Sequence, residues 1–370
     1  MSDELALSTW SQDPAQLNFE APDTWYKGDH CHRFPQNRPV TAEDVLRGWL
    51  PPSKLITRDT RVLAFGSCFA EYFIKFLSAS GYNDWQLPLE HDPLCDESLL
   101  LALGQTFENI FVILQQFRWA FGEFTPQSML WFTKDKKYFE ATDARREKLR
   151  RSFEEVGVFV ITLGLSEIWF DRISKEPMWR SIPSRLYEPE RHGFRRATVA
   201  ETIAAFYELD RLIEEFLPNK HFIFTLSPIP LIATFRDQSS VTANQVSKAV
   251  LRVALDEFIS DHAIQEKSRY HYFPSYELVF HLFDHPFLPD NRHIRPEVAS
   301  SVLDIFSAAY TDLPLAEKGV PDRDSHIRAL QAQIREMECQ LIEKERVIQA
   351  LDRAARERQE TINRLVTKQR

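Results

Sequence analysis

Arg61-Val62-Leu63-Ala64-Phe65-Gly66-Ser67-Cys68-Phe69-Ala70 is the stretch that decides the fold. A short apolar run stops at a glycine and gives way to the spacing Phe69, Phe73, Phe76, Leu77, the period of a helix with one buried face. Strand, turn, helix is the reading. Downstream the alternation repeats. Val158 to Leu163 and His221 to Leu226 are continuously apolar or β-branched, as strands buried on both faces are. The first ends at Gly164 and the second at Pro228 and Pro230. Helical periods are read over Ser98 to Phe121, Asp143 to Glu155, Ala200 to Leu217 and Val246 to His262, with a last short strand at Tyr270 to Phe273. Strands alternating with helices imply a parallel sheet covered on both faces, with ligands taken at the carboxyl ends of its strands.

The chain has 370 residues with 45 basic and 54 acidic side chains, a net charge of −9. That field disfavours phosphate backbones and anionic membranes, so no nucleic-acid partner is expected. Only 10 glycines occur, none in a G-x-G or phosphate-loop arrangement, which removes most nucleotide and dinucleotide enzymes. The most apolar run, Val156 to Leu165, is too short to span a bilayer, and no transmembrane segment is expected. Met1-Ser2-Asp3-Glu4 starts neither a basic nor an apolar leader, so a cytoplasmic location is expected. Cys31, Cys68, Cys95 and Cys339 lie far apart and read as reduced thiols. His271, His281 and His285 have no metal-ligand spacing, and no metal or cofactor is expected.

Residues 1–60, proline-rich and without a sustained period, read as an irregular arm over a body of residues 61–312. The tail, 322–370, differs in kind. Ile327, Leu330, Ile334, Met337, Leu341, Lys344, Ile348, Leu351, Ala355, Arg358, Ile362 and Leu365 follow one 3,4-spaced register without glycine or proline. Sustained over six heptads, that is a coiled-coil signature. A helix with such a stripe needs a second helix to cover it, so a coiled-coil dimer or a coiled-coil protein partner is expected.

Phe65-Gly66-Ser67-Cys68-Phe69-Ala70 contains the block after which the GSCFA family of bacterial proteins is named, and the resemblance covers most of residues 61–312. That family is grouped with the SGNH/GDSL hydrolases. The resemblance implies a three-layer α/β/α, flavodoxin-like body, with a nucleophile after the first strand and an Asp and a His in a late D-x-x-H block. Asp290-Asn291-Arg292-His293 is similar to that block. It further implies acyl-ester hydrolysis or acyl transfer, of the O-acetyl type, on a small-molecule or carbohydrate acyl substrate. The alternative is a non-catalytic assembly module of surface-polysaccharide biosynthesis that recruits partners through the coiled coil.

The chemistry suits those positions. A thiol or hydroxyl at a helix N-terminus lies beside unpaired N–H groups that stabilise a thiolate or an oxyanion. The imidazole of His293 takes the proton, and Asp290, three residues earlier, is placed to hold its Nδ1–H. Laid without a gap on G-D-S, Gly66-Ser67-Cys68 makes Cys68 the nucleophile and Ser67 a helix cap; a shift of one residue makes Ser67 the nucleophile. Alternatively Cys68 is a small buried apolar residue and Ser67 only a cap. Gly164-Leu165-Ser166-Glu167 stands where the relatives carry G-x-N-D, so Ser166 replaces the oxyanion-binding amide, and Asn109 is the substitute donor or else a helix-surface amide. Glu167 reads as a brace for that loop. Trp169, Trp179 and Trp85 are candidates for stacking on sugar rings, with core or rim packing the commoner use of such residues. The basic run Arg145, Arg146, Lys148, Arg150, Arg151 reads as a solvated helix face.

Overall fold

The computed structural model describes residues 34–35, 38–82, 109–126, 130–131, 140–179, 182–264 and 269–312. Cys31, Cys95, Cys339, Trp85, the first part of the arm and the heptads of 322–370 lie outside them. In chain order the elements are α1 (Ala42–Leu46), β1 (Val62–Gly66), α2 (Phe69–Ala79), α3 (Ile110–Ala120), α4 (Asp143–Glu155), β2 (Val158–Leu163), β3 (Glu167–Asp171), β4 (His192–Arg196), α5 (Val199–Phe216), β5 (His221–Leu226), α6 (Ser240–Ile264), β6 (Tyr270–Tyr272), α7 (Ser275–Leu282) and α8 (Pro296–Tyr310).

The main sheet is parallel, in the order β1-β2-β5-β6. Rows of aromatic and aliphatic side chains cross it in register: Leu63, Phe159, Phe222 and Tyr270, then Phe65, Ile161, Phe224 and Tyr272. These rows join the large core made with α3, α4, α5 and α6, where Phe117 stacks on Phe153 at 4.4 Å and Phe159 on Phe222 at 4.6 Å. β2, β5 and β6 step the same way across the sheet, so right-handed crossovers put α5 and α6 on this same side. On the other face, α2 and α8 pack together, with Phe73 against Phe306 at 4.8 Å and against Phe273 at 6.2 Å.

β2, β5 and α4 have the bounds read from the sequence. Others moved. The helix expected over Ser98 to Phe121 begins, in the described residues, at Ile110, and α6 starts six residues before Val246. Glu167, read as a brace for the loop after β2, opens β3, which pairs with β4 as an antiparallel ribbon beside the sheet. Its partner lies some twenty residues on, so the pairing leaves no local signal. Part of the arm is ordered as α1, whose Thr41 and Asp44 form a reciprocal cap. The arm is then tied to the body by Leu55 N and Ile56 N, which both donate to Tyr310 O at 3.0 Å. The basic run lies on α4, where Arg146 pairs with Asp143, Arg150 with Glu147 and Glu154, and Arg151 with Glu147. No helix among the described residues is long and apolar enough to cross a membrane.

Candidate active site

β1 leaves the core at Gly66, whose φ of +128° lies in a region that side chains rarely adopt. A Cβ there would stand 2.2 Å from Thr162 O and 2.8 Å from Thr162 Oγ1, so only glycine fits. The close approach lets Ser67 N donate to Thr162 O and Oγ1, both at 2.8 Å. Ser67 Oγ lies 2.9 Å from Thr162 Oγ1 and accepts from Phe69 N at 3.2 Å. With 4% of its surface exposed, Ser67 is wired into the sheet and does part of a cap's work. Cys68 occupies the N-cap position of α2, its thiol makes no cap hydrogen bond, and it is partly exposed. It is not a buried apolar filler. The positive end of the helix dipole favours a thiolate at this place.

Asp290 and His293 sit in a tight loop. Phe287 and Ile294 form an antiparallel bridge, Leu288 N donates to His293 O at 2.8 Å, and Arg295 N to Pro286 O at 2.9 Å. Asn291 takes the left-handed φ of +56° that asparagine tolerates. Inside the loop, Asp290 Oδ1 accepts from Arg292 N and His293 N, each at 3.0 Å, and Oδ2 accepts from His293 Nδ1. The imidazole, helped by the two backbone N–H groups, holds the Asp290 carboxyl at about 2, below the usual carboxylate range. Donation from Nδ1 leaves the lone pair on Nε2, the tautomer a general base needs. Both side chains are about half exposed, at 47% for Asp290 and 49% for His293.

Three loops complete the carboxyl end of the sheet. Gly164 O, Ser227 O and Ile229 O accept from the ammonium of Lys248, at 2.6, 2.6 and 3.0 Å, and this lysine is only 2% exposed. Ser166 is buried, its N and Oγ turned onto Ser247 Oγ at 2.6 and 3.2 Å, so its hydroxyl is spent on α6. Glu167 Oε1 accepts from Thr234 Oγ1 at 3.1 Å and Arg236 Nε at 2.7 Å, which braces the loop after β5. Asn109 is the N-cap of α3, buried rather than on the helix surface, and its Oδ1 accepts from Val112 N at 3.0 Å. That cap fixes which amide atom is oxygen and leaves Nδ2–H for another acceptor. Trp169 packs between Phe194 at 5.1 Å and Phe235 at 4.7 Å, near Tyr187, at the rim, whereas Trp179 is buried against Trp131.

α2 and α8 run side by side in the same direction, their far ends linked by Tyr82 Oη donating to Asp312 Oδ1 at 2.8 Å. Cys68 precedes the first helix and His293 the second, so both stand at the same end of the sheet. Arg292 Nε donates to Pro230 O at 3.3 Å, which ties the Asp290–His293 loop to the loop after β5. Three residues of this edge went unread in the sequence. Thr162 was signalled by a hydroxyl inside an apolar strand; Lys248 and Arg292 have no sequence signal, since their partners lie on distant loops.

Among curated proteins none matches this chain. Residues 61–306, well over half of the chain, match the family described as the GSCFA family. The match begins one residue before β1 and ends inside α8, so it spans both the Gly66–Cys68 corner and the Asp290–His293 loop: the chain belongs to the GSCFA family.

Proposed function

We propose that the chain is an acyl-ester hydrolase or acyltransferase of the SGNH type, and the observation that carries this reading is the His293 imidazole held at Nδ1 by Asp290. Cys68 Sγ attacks the ester carbonyl as its proton passes to His293 Nε2. The N–H groups at the start of α2 and Asn109 Nδ2 receive the oxyanion, where such donors contribute most because they are already oriented. The C–O bond breaks, the leaving alkoxide takes the proton from Nε2, and water or an acceptor hydroxyl then cleaves the thioester. Two observations support Cys68 over Ser67: the hydroxyl is buried and engaged with Thr162, and the thiol is partly exposed. The exposed rings of Tyr187 and Phe235, backed by Trp169 at the rim, suit a carbohydrate carrier for the acyl group.

Iodoacetamide alkylation followed by peptide mapping tests the assignment. Cys68 is expected to be labelled with an apparent pKa below the ordinary thiol value of about 8.5, and Cys68→Ala to lose hydrolysis of a small acyl ester. Full activity in Cys68→Ala together with a dead Ser67→Ala would return the nucleophile to the serine.

A further inference from the structure

The face of His293 that the reaction needs is not open. Arg292 Nη1 lies 3.4 Å from Nε2, so a guanidinium N–H points at the lone pair that must take the proton. The guanidinium is not swinging freely: its Nε donates to Pro230 O, and the chain just before Pro230 is fixed by the buried ammonium of Lys248 on Ser227 O and Ile229 O. Several arginines of this acidic protein find carboxylates, Arg191 on Asp171, Arg236 on Glu167, Arg211 on Glu208 and Glu123, Arg252 on Asp256 and Glu277, whereas Arg172 and Arg196 donate to the backbone carbonyls of His192 and Ala197. Among the described residues Arg292 has no carboxylate within ion-pair distance; its contacts are a carbonyl and the imidazole. A half-buried fork of donors, fixed in place and without an anion, beside a base whose lone pair it occupies, is suited to an oxyanion brought by the substrate.

We propose that Arg292 is the specificity residue of this site, and that the acyl substrate carries a carboxylate or phosphate whose binding to the Nη1–Nη2 edge withdraws the N–H from His293 Nε2 and opens the base. The proposal rests on the acyl-transfer reading for its catalytic half, and on Arg292 alone for its binding half.

Two esters of equal acyl length separate the halves: p-nitrophenyl butyrate, neutral, and p-nitrophenyl hemisuccinate, which ends in a carboxylate. Wild type is expected to prefer the hemisuccinate in kcat/KM by about tenfold to a hundredfold, the ratio a charge-assisted hydrogen bond is worth. In Arg292→Gln that ratio should collapse toward one, and in Arg292→Lys, which keeps the charge and loses the fork, it should fall between. A ratio of one in wild type, or a ratio that survives Arg292→Gln, overturns the proposal. Should wild type turn over neither ester, the acyl-transfer reading fails, and the binding half is decided by titrating succinate and inorganic phosphate separately while following the His293 ring resonances. Saturable shifts in wild type that Arg292→Gln lacks uphold it, and the stronger of the two anions names the group; no shift with either overturns it.

Discussion

The two ends of the candidate site are built in opposite ways. At the Gly66–Cys68 corner the contacts that set the backbone are long-range: Gly66 and Ser67 are placed by Thr162, nearly a hundred residues away and buried in the next strand, and the local bonds from Phe69 N and Ala70 N to Ser67 only start the helix. In the loop from Pro286 to Arg295 most of the contacts that shape it are its own, with Arg292 reaching out to Pro230 O, and Asp290 is satisfied by N–H groups two and three residues on. Gly66 and Ser67, wired into the sheet, are as rigid as the core but cannot be altered without disturbing the fold. His293, half-exposed on a loop held mostly by its own backbone, can be altered alone. The difference separates residues whose substitution reports on folding from those whose substitution reports on chemistry.

The largest effect expected from this contrast is at Gly66. Gly66→Ala adds a methyl group in contact with a backbone carbonyl at a φ of +128°, and the strained backbone and displaced strand should together cost at least about 3 kcal/mol. Chemical denaturation measures it, and a variant as stable as wild type would show that the corner yields locally. His293→Ala should be the mirror image, losing about 10²–10⁴-fold in ester turnover while its denaturation midpoint stays where it was. An unfolded His293→Ala protein would mean that the loop is not self-contained.

The smallest effect concerns the Asp290 carboxylate. Its value is depressed from 3.8 to about 2, so its link to His293 is fully present above the ordinary value and is lost only as pH falls through about 2. The Asp290 Cγ resonance should therefore titrate with a midpoint near 2 in wild type. In His293→Ala the midpoint should rise toward 3.8 but stop short of it, because the two N–H donors of the loop remain. An unchanged midpoint would show that the backbone alone holds the carboxylate ionised.

Legibility in the sequence follows the same division between local and distant causes. β2 and β5 are buried on both faces and so read as unbroken apolar runs, and α4 is bounded by a threonine cap and a β-branched stop. Asp290 and His293 were legible as a pair through their likeness to the D-x-x-H block of the hydrolases; the spacing of three residues, weak by itself, agrees with one loop bringing a carboxylate to an imidazole. β3 and β4 were not: five residues each and only partly buried, they depend on one another across a long excursion. Ser166 shows the limit at a single residue. The resemblance places it where the relatives carry an oxyanion-binding amide, yet Ser247 on α6 takes its hydroxyl, and nothing in the local sequence announces that helix face.

The three carbonyls gathered on Lys248 form the kind of cage that elsewhere would be filled by a monovalent ion. Here the cation is part of the chain. A bound potassium or ammonium ion leaves when the medium is dilute and exchanges when another salt is added; a tethered ammonium does neither, and its burial shields it from the screening that weakens surface ion pairs. The edge where the loops after β2 and β5 meet is thus held by a charge that travels with the polypeptide, and its geometry is independent of the ionic composition in which the protein works.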